Sequence, residues 1–130
     1  MKLKVILVLL CTLVSFGCGY SSPGSTAPQP GVTPAISQLA PDNASSGGPG
    51  FTLTVNGSNF ASNAVVDFNG QNMTTTFVSA AQVTAAVPST AITSPGTVPI
   101  SVTNPGTPAS GPYGGGTLSE TSPAMNFTVN

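Results

Sequence analysis

An all-β sandwich of about seven short strands is the fold this sequence predicts, and three observations predict it. Apolar and polar residues alternate in five separate segments, no window carries a convincing 3.6-residue repeat, and turn formers recur between the segments. Alternation with period two marks a strand with one buried face. Several such strands, roughly eight to twelve residues apart, close into two packed sheets of immunoglobulin type.

The chain opens with Lys2 and Lys4, an apolar run over residues 5–14, and then Ser15-Phe16-Gly17-Cys18. A basic start, a ten-residue apolar centre and small residues at the end are the layout of a secretory signal, too short to cross a bilayer. Residues 1–17 are therefore expected to be removed. The junction resembles a bacterial lipobox, which implies lipid attachment to Cys18 and cleavage just before it. Gly17 and Cys18 match that pattern, while Ser15 and Phe16 depart from it. An ordinary secretory cut near the same place would instead leave Cys18 as a lone thiol. Cys11 leaves with the leader, so the exported chain would keep one cysteine and form no internal disulfide. By the same resemblance, Gly19 after the cysteine points to the outer membrane or cell surface of a bacterium.

Residues 18–33, rich in Pro, Ser and Gly, offer almost nothing to bury and are expected to form a disordered tether. The domain is expected over residues 34–130. Its strands are expected at residues 35–39, then at Phe51, Leu53 and Val55, at Val66 and Phe68, and at residues 74–78. Three more are expected at Val83, Ala85 and Val87, at Val98, Ile100 and Val102, and at Met125, Phe127 and Val129. Pro41-Asp42-Asn43, residues 47–50, residues 56–59, Asn69-Gly70, Pro95-Gly96 and Asn104-Pro105-Gly106 supply the turns. Gly57 is expected to let the chain turn tightly after the second strand so that Phe60 folds back under the sheet.

Five blocks resemble, in order, those of IPT/TIG domains: residues 34–41 (PAISQLAP), 50–60 (GFTLTVNGSNF), 66–70 (VDFNG), 82–88 (QVTAAVP) and 96–104 (GTVPISVTN). The resemblance runs to about Val129 and implies an immunoglobulin-like (E-set) β-sandwich. It implies no catalytic residues, because domains of this kind serve as spacers, dimerisation surfaces and ligand-contact modules.

Composition narrows the chemistry. Without the leader the chain has no Lys, Arg or His, and Asp42, Asp67 and Glu120 leave it a side-chain charge of −3. With no cation to neutralise phosphate, neither nucleic acid nor anionic lipid is an expected partner, and membrane attachment would come from acyl chains on Cys18 alone. General acid–base and nucleophilic catalysis draw on His, Lys, Cys or paired carboxylates. Three isolated acids point away from an enzyme, and Asp42-Asn43 with a distant acid is a thin set of ligands for calcium. No cofactor and no metal site is expected.

One segment departs from the family pattern, the long excursion over residues 105–123 before the last strand. Loops of this length without structure are commonly functional or disordered. This one holds Tyr113, Leu118 and Glu120, at the sandwich position of an antigen-contacting loop, and these three are the candidate contact residues. The expected role is non-catalytic, binding or structural, through an unidentified envelope protein. The alternatives are a small glycan-binding module, for which Tyr20 and Tyr113 are the only tyrosines available, and a pure spacer or assembly subunit that joins neighbours through unpaired strand edges.

Overall fold

The computed structural model describes residues 28–110 and 114–130; the leader, Cys18, Tyr20 and Tyr113 lie outside them. The alternating segments pair as strands at the expected places: β1 Ala35–Ala40, β3 Phe51–Ser58, β4 Val65–Phe68, β6 Thr74–Ser79, β7 Gln82–Val87, β8 Gly96–Asn104 and β10 Met125–Val129. Three two-residue strands, β2 Asn43–Ala44, β5 Gln71–Asn72 and β9 Glu120–Thr121, were not predicted. Two residues cannot display a period, so alternation gives no signal for them.

One sheet has the order β1-β3-β7-β6, the other β2-β10-β8-β4-β5, with β9 beside the end of β8. Every long pairing is antiparallel, whereas β2 runs parallel to β10. The alternation sends Leu53 and Val55 of β3, and Val83, Ala85 and Val87 of β7, against Val66 and Phe68 of β4, Ile100 and Val102 of β8, and Phe127 and Val129 of β10. All are at most 2% exposed, which is the burial that makes a two-layer sandwich stable. Phe127 ties the layers together: it stacks on Phe51 of the opposite sheet at 5.6 Å and meets Phe68 edge-on at 5.5 Å.

Local chemistry sets the turns. Asn69 (φ 56°) and Gly70 (φ 82°) form the two-residue link between β4 and β5, the left-handed pair that a tight hairpin demands. At Met73 the chain crosses between sheets. Its N–H donates to the Val66 carbonyl at 2.8 Å, and the Thr75 hydroxyl accepts from the Val66 N–H at 2.8 Å while donating to the Met73 carbonyl at 2.9 Å. A side-chain hydroxyl thus takes over where the ladder changes sheet.

Gly57 acts differently from expectation. It lies within β3, paired with Ile36, and the left-handed turn falls at Asn59 (φ 62°). What Gly57 provides is space: a side chain there would overlap the Ala35 carbonyl oxygen and come within 2.7 Å of Phe60 Cζ. Phe60 packs over the bare backbone and is 3% exposed.

Two segments differ from expectation. Residues 28–33, assigned to the tether by composition, lie against the sandwich, and Gln29 forms a parallel bridge with Thr117. Residues 116–122 of the excursion are also more ordered than their composition suggests. Glu120–Thr121 pairs with Thr103 and Asn104, and Ser122 is 6% exposed. These contacts run through backbone groups and single hydroxyls, which leave no periodic trace in a Pro/Gly-rich sequence. Ser122 Oγ accepts from the buried Val102 N–H at 2.9 Å, in the gap between β9 and β10. Ser122→Ala is expected to cost about 1–3 kcal/mol, the penalty of leaving that donor unpaired, measurable as a lowered urea midpoint with an unchanged slope.

Candidate functional site

Asn104 organises the end of the sandwich where the chain enters. It is the last residue of β8, and the strand's alternation turns its side chain inward, 6% exposed. A buried amide must find partners. Its Nδ2 donates to the Val32 and Asn59 carbonyls, both at 2.8 Å, and its Oδ1 accepts from the Ala61 N–H at 2.9 Å. One side chain therefore holds the entering strap (residues 28–33), the β3–β4 link and the end of β8.

The strap in turn orders the excursion. The Gln29 N–H donates to the Gly116 carbonyl at 3.0 Å, and the Leu118 N–H donates to the Gln29 carbonyl at 2.9 Å. The excursion closes at its base, where the Thr107 N–H donates to Thr117 Oγ1 at 3.0 Å and the Thr117 N–H donates to Thr107 Oγ1 at 3.0 Å. A cavity of about 560 Å³ lies between strap and excursion, lined among others by Val32, Ser62, Asn104 and Leu118.

The predicted contact residues separate. Leu118 is 50% exposed beside the strap, an apolar side chain in a position to touch a partner. Glu120 sits in β9 and is half-buried; Thr33 Oγ1 donates to its Oε2 at 3.4 Å, so its carboxylate faces the strap. Tyr113 and Cys18 lie outside the described residues.

The other acids stand apart. Asp42 accepts from Asn43 Nδ2 at 2.7 Å in the turn after β1. Asp67 lies on the outer face of β4 opposite Ser101 and Asn72, and its Oδ1 is buried without a hydrogen-bond partner. Among the described residues no three of His, Cys, Asp and Glu come together.

Strand directions define two ends. β1 starts at the strap end, where Ala35 pairs with Ser58, and β8 finishes there; the turns at 41–42, 69–70 and 88–95 lie at the opposite end. The far end carries a groove that sequence reasoning missed, two adjoining cavities of about 630 and 530 Å³ that share Gln71, Met73 and Pro88. Phe51 and Thr74 line one, Thr90 and Ser94 the other. The only sequence signal for it was an isolated Met directly after a hairpin. Its walls mix amides and hydroxyls with apolar side chains such as Phe51, Met73 and Val98.

The IPT/TIG family model matches residues 34–119. No curated protein matches the chain. Among solved structures, the TIG domain of human nuclear factor of activated T-cells, cytoplasmic 4, superimposes with a TM-score of 0.50 at 20% identity, covering 87% of this chain and 93% of that one. At that identity the likeness concerns the fold. The match stops short of β10, yet β10 completes the sheet by pairing with β8 across Met125–Ile100 to Val129–Gly96. By its ordered sequence blocks, its two-sheet topology and the family match over most of its length, the chain belongs to the IPT/TIG family.

Proposed function

We propose that this protein is a lipid-anchored module of the bacterial cell envelope that binds a protein partner and carries out no catalysis. The fold is an immunoglobulin-like one of a kind used in protein–protein interaction. The observation that carries the reading is the entry of the strap. Its docking at Gln29 puts the domain's point of attachment beside Leu118 and the base of the excursion. With Cys18 acylated, the ten peptide links from Cys18 to Pro28 span no more than about 35 Å. Leu118 and the base of the excursion would then lie within that reach of the membrane, and a partner that meets Leu118 would itself lie close to the bilayer. The far-end groove would point away from it.

Mass spectrometry of the exported protein is expected to find a diacylated or triacylated Cys18 as the first residue. An unmodified Cys18 overturns the anchor. Pull-down from membranes is expected to recover one dominant protein, reduced about tenfold by Leu118→Ser, the effect of losing one apolar contact of about 1.4 kcal/mol. Retention on polysaccharide that is abolished by Tyr113→Ala would replace the protein-binding role with a glycan-binding one. No retention of either kind would leave a spacer.

A further inference from the structure

Among the described residues β6 is a long strand edge with no second backbone partner, approached by β4 only at the Thr75 hydroxyl. It has only β7 beside it, and beyond that ladder no other backbone hydrogen bond from Thr74 to Ser79 exists among the described residues. Half of its N–H and C=O groups therefore point outward, a template for another strand. The other edges are blunted. β2 and β5 have two residues each, and β1 lies between Pro34 and Pro41 and is broken by a bulge between Ile36 and Gln38. In β6 the irregularity falls late, between Phe77 and Ser79, which leaves Thr74 to Phe77 in regular register with β7.

The strand's chemistry matches its position. Thr74-Thr-Thr-Phe-Val78 consists entirely of β-branched and aromatic residues, without charge and without proline. Phe77 is 39% exposed and Val78 54% exposed, both large apolar side chains left in water at this edge. Phe77 stands opposite Val83 and so belongs to the face that lines the core, at its margin.

We infer that β6 is a homotypic docking edge, through which two copies of this chain pair antiparallel into one sheet continuous across both. Two features select a second copy over a foreign peptide. An antiparallel edge is its own complement, since a two-fold axis sets each strand's donors against the other's acceptors, and it sets Phe77 of both copies on the same face. The charges also permit it. Asp42, Asp67 and Glu120 sit in the turn after β1, on β4 and on β9, so the β6 edges meet without like-charge repulsion, and no side chain there would attract a charged ligand. The inference rests on the interaction role proposed above and is independent of the lipid anchor.

The test is disulfide trapping of the full chain in membranes, with single substitutions Thr74→Cys, Thr75→Cys, Thr76→Cys, Phe77→Cys and Val78→Cys along β6, one of which must lie on the two-fold axis, and Gln38→Cys on β1. The unsubstituted chain controls for Cys11 and Cys18. Residues opposed across a two-fold antiparallel pair have Cα atoms about 4.5–5.5 Å apart, within reach of a disulfide. A covalent dimer is expected from at least one β6 position and from neither Gln38→Cys nor the control. The detergent-solubilised chain is expected to sediment as a dimer, with the dissociation constant raised at least tenfold by Val78→Lys and by Phe77→Lys. Val78 is exposed enough for its substitution to leave the fold intact, so it keeps the test decisive if Phe77→Lys unfolds. A chain that stays monomeric as concentration rises, trapping at Gln38→Cys as strong as at β6, or large aggregates in place of a dimer would each overturn the proposal. If the β6 variants change nothing while Leu118→Ser still loses a partner, the homotypic edge fails and the interaction role stands.

Discussion

Asn104→Leu is expected to destabilise the domain by about 3 kcal/mol or more, although it removes no volume and breaks no strand. Asparagine and leucine are close in size, so the cost lies in the partners left behind. The Val32 and Asn59 carbonyls and the Ala61 N–H each lose a bond of 2.8–2.9 Å in a part-buried place. An orphaned buried polar group costs about 1–3 kcal/mol, and partial access of water to three of them keeps the total near the lower end. For a domain of this size the midpoint of thermal unfolding should fall by about 12–24 °C. A local readout separates this from general damage. Amide exchange at Leu118, whose N–H bonds to the strap, should accelerate more than exchange at Val83 in the centre of β7. Equal acceleration at both would show that Asn104 supports the whole sandwich and not the strap in particular.

Gly57→Ala should lower stability by about 2–4 kcal/mol, against about 1 kcal/mol for Gly47→Ala. The two glycines fail for different reasons. At Gly47 a methyl group meets nothing within 4 Å, and the cost comes from its φ of +70°. At Gly57 the methyl would overlap the Ala35 carbonyl oxygen, which is backbone of the paired strand, so β1 must move away from β3 or Phe60 must leave its place. The Phe60→Leu substitution removes the ring atom 2.7 Å from that methyl. The double variant should therefore be less unstable than the sum of the single changes by at least about 0.5 kcal/mol, measured by urea denaturation. Additive effects would mean that the β1 carbonyl alone sets the cost.

Both residues illustrate what could be read in the chain and what could not. Asn104 closes the last strand block that resembles the family, but nothing in its spacing says that its side chain turns inward to hold three segments. Gly57 was legible as a glycine that the fold needs, yet its role was assigned to a turn that Asn59 makes instead. Where residues bury an apolar face, as in β3, β7, β8 and β10, the period of the pattern and the period of the backbone are the same. The strands were readable for that reason. β1 and β6 were the weakest of the long strands to read because they are edges: most of their residues are exposed, so little of their sequence has to alternate.

The candidate site was less legible than the fold. Leu118 and Glu120 were expected to act together in one exposed loop, and the structure sets Leu118 outward while Glu120 lies in β9 against Thr33. The pairing of residues 28–33 with the excursion joins positions nearly ninety residues apart through main-chain groups that every sequence possesses.

The sequence by itself determined the all-β class, the places of the seven long strands and the near absence of charge. Each of these is a local or compositional property, carried by side-chain type and by a period of two. Only the tertiary structure decided where the strap docks, that Asn104 holds it, that a groove opens beside Met73 at the far end, and that β6 is left as an edge with a single strand partner. Those depend on backbone groups meeting across long separations and on which strand finds no neighbour, and side-chain patterns encode neither.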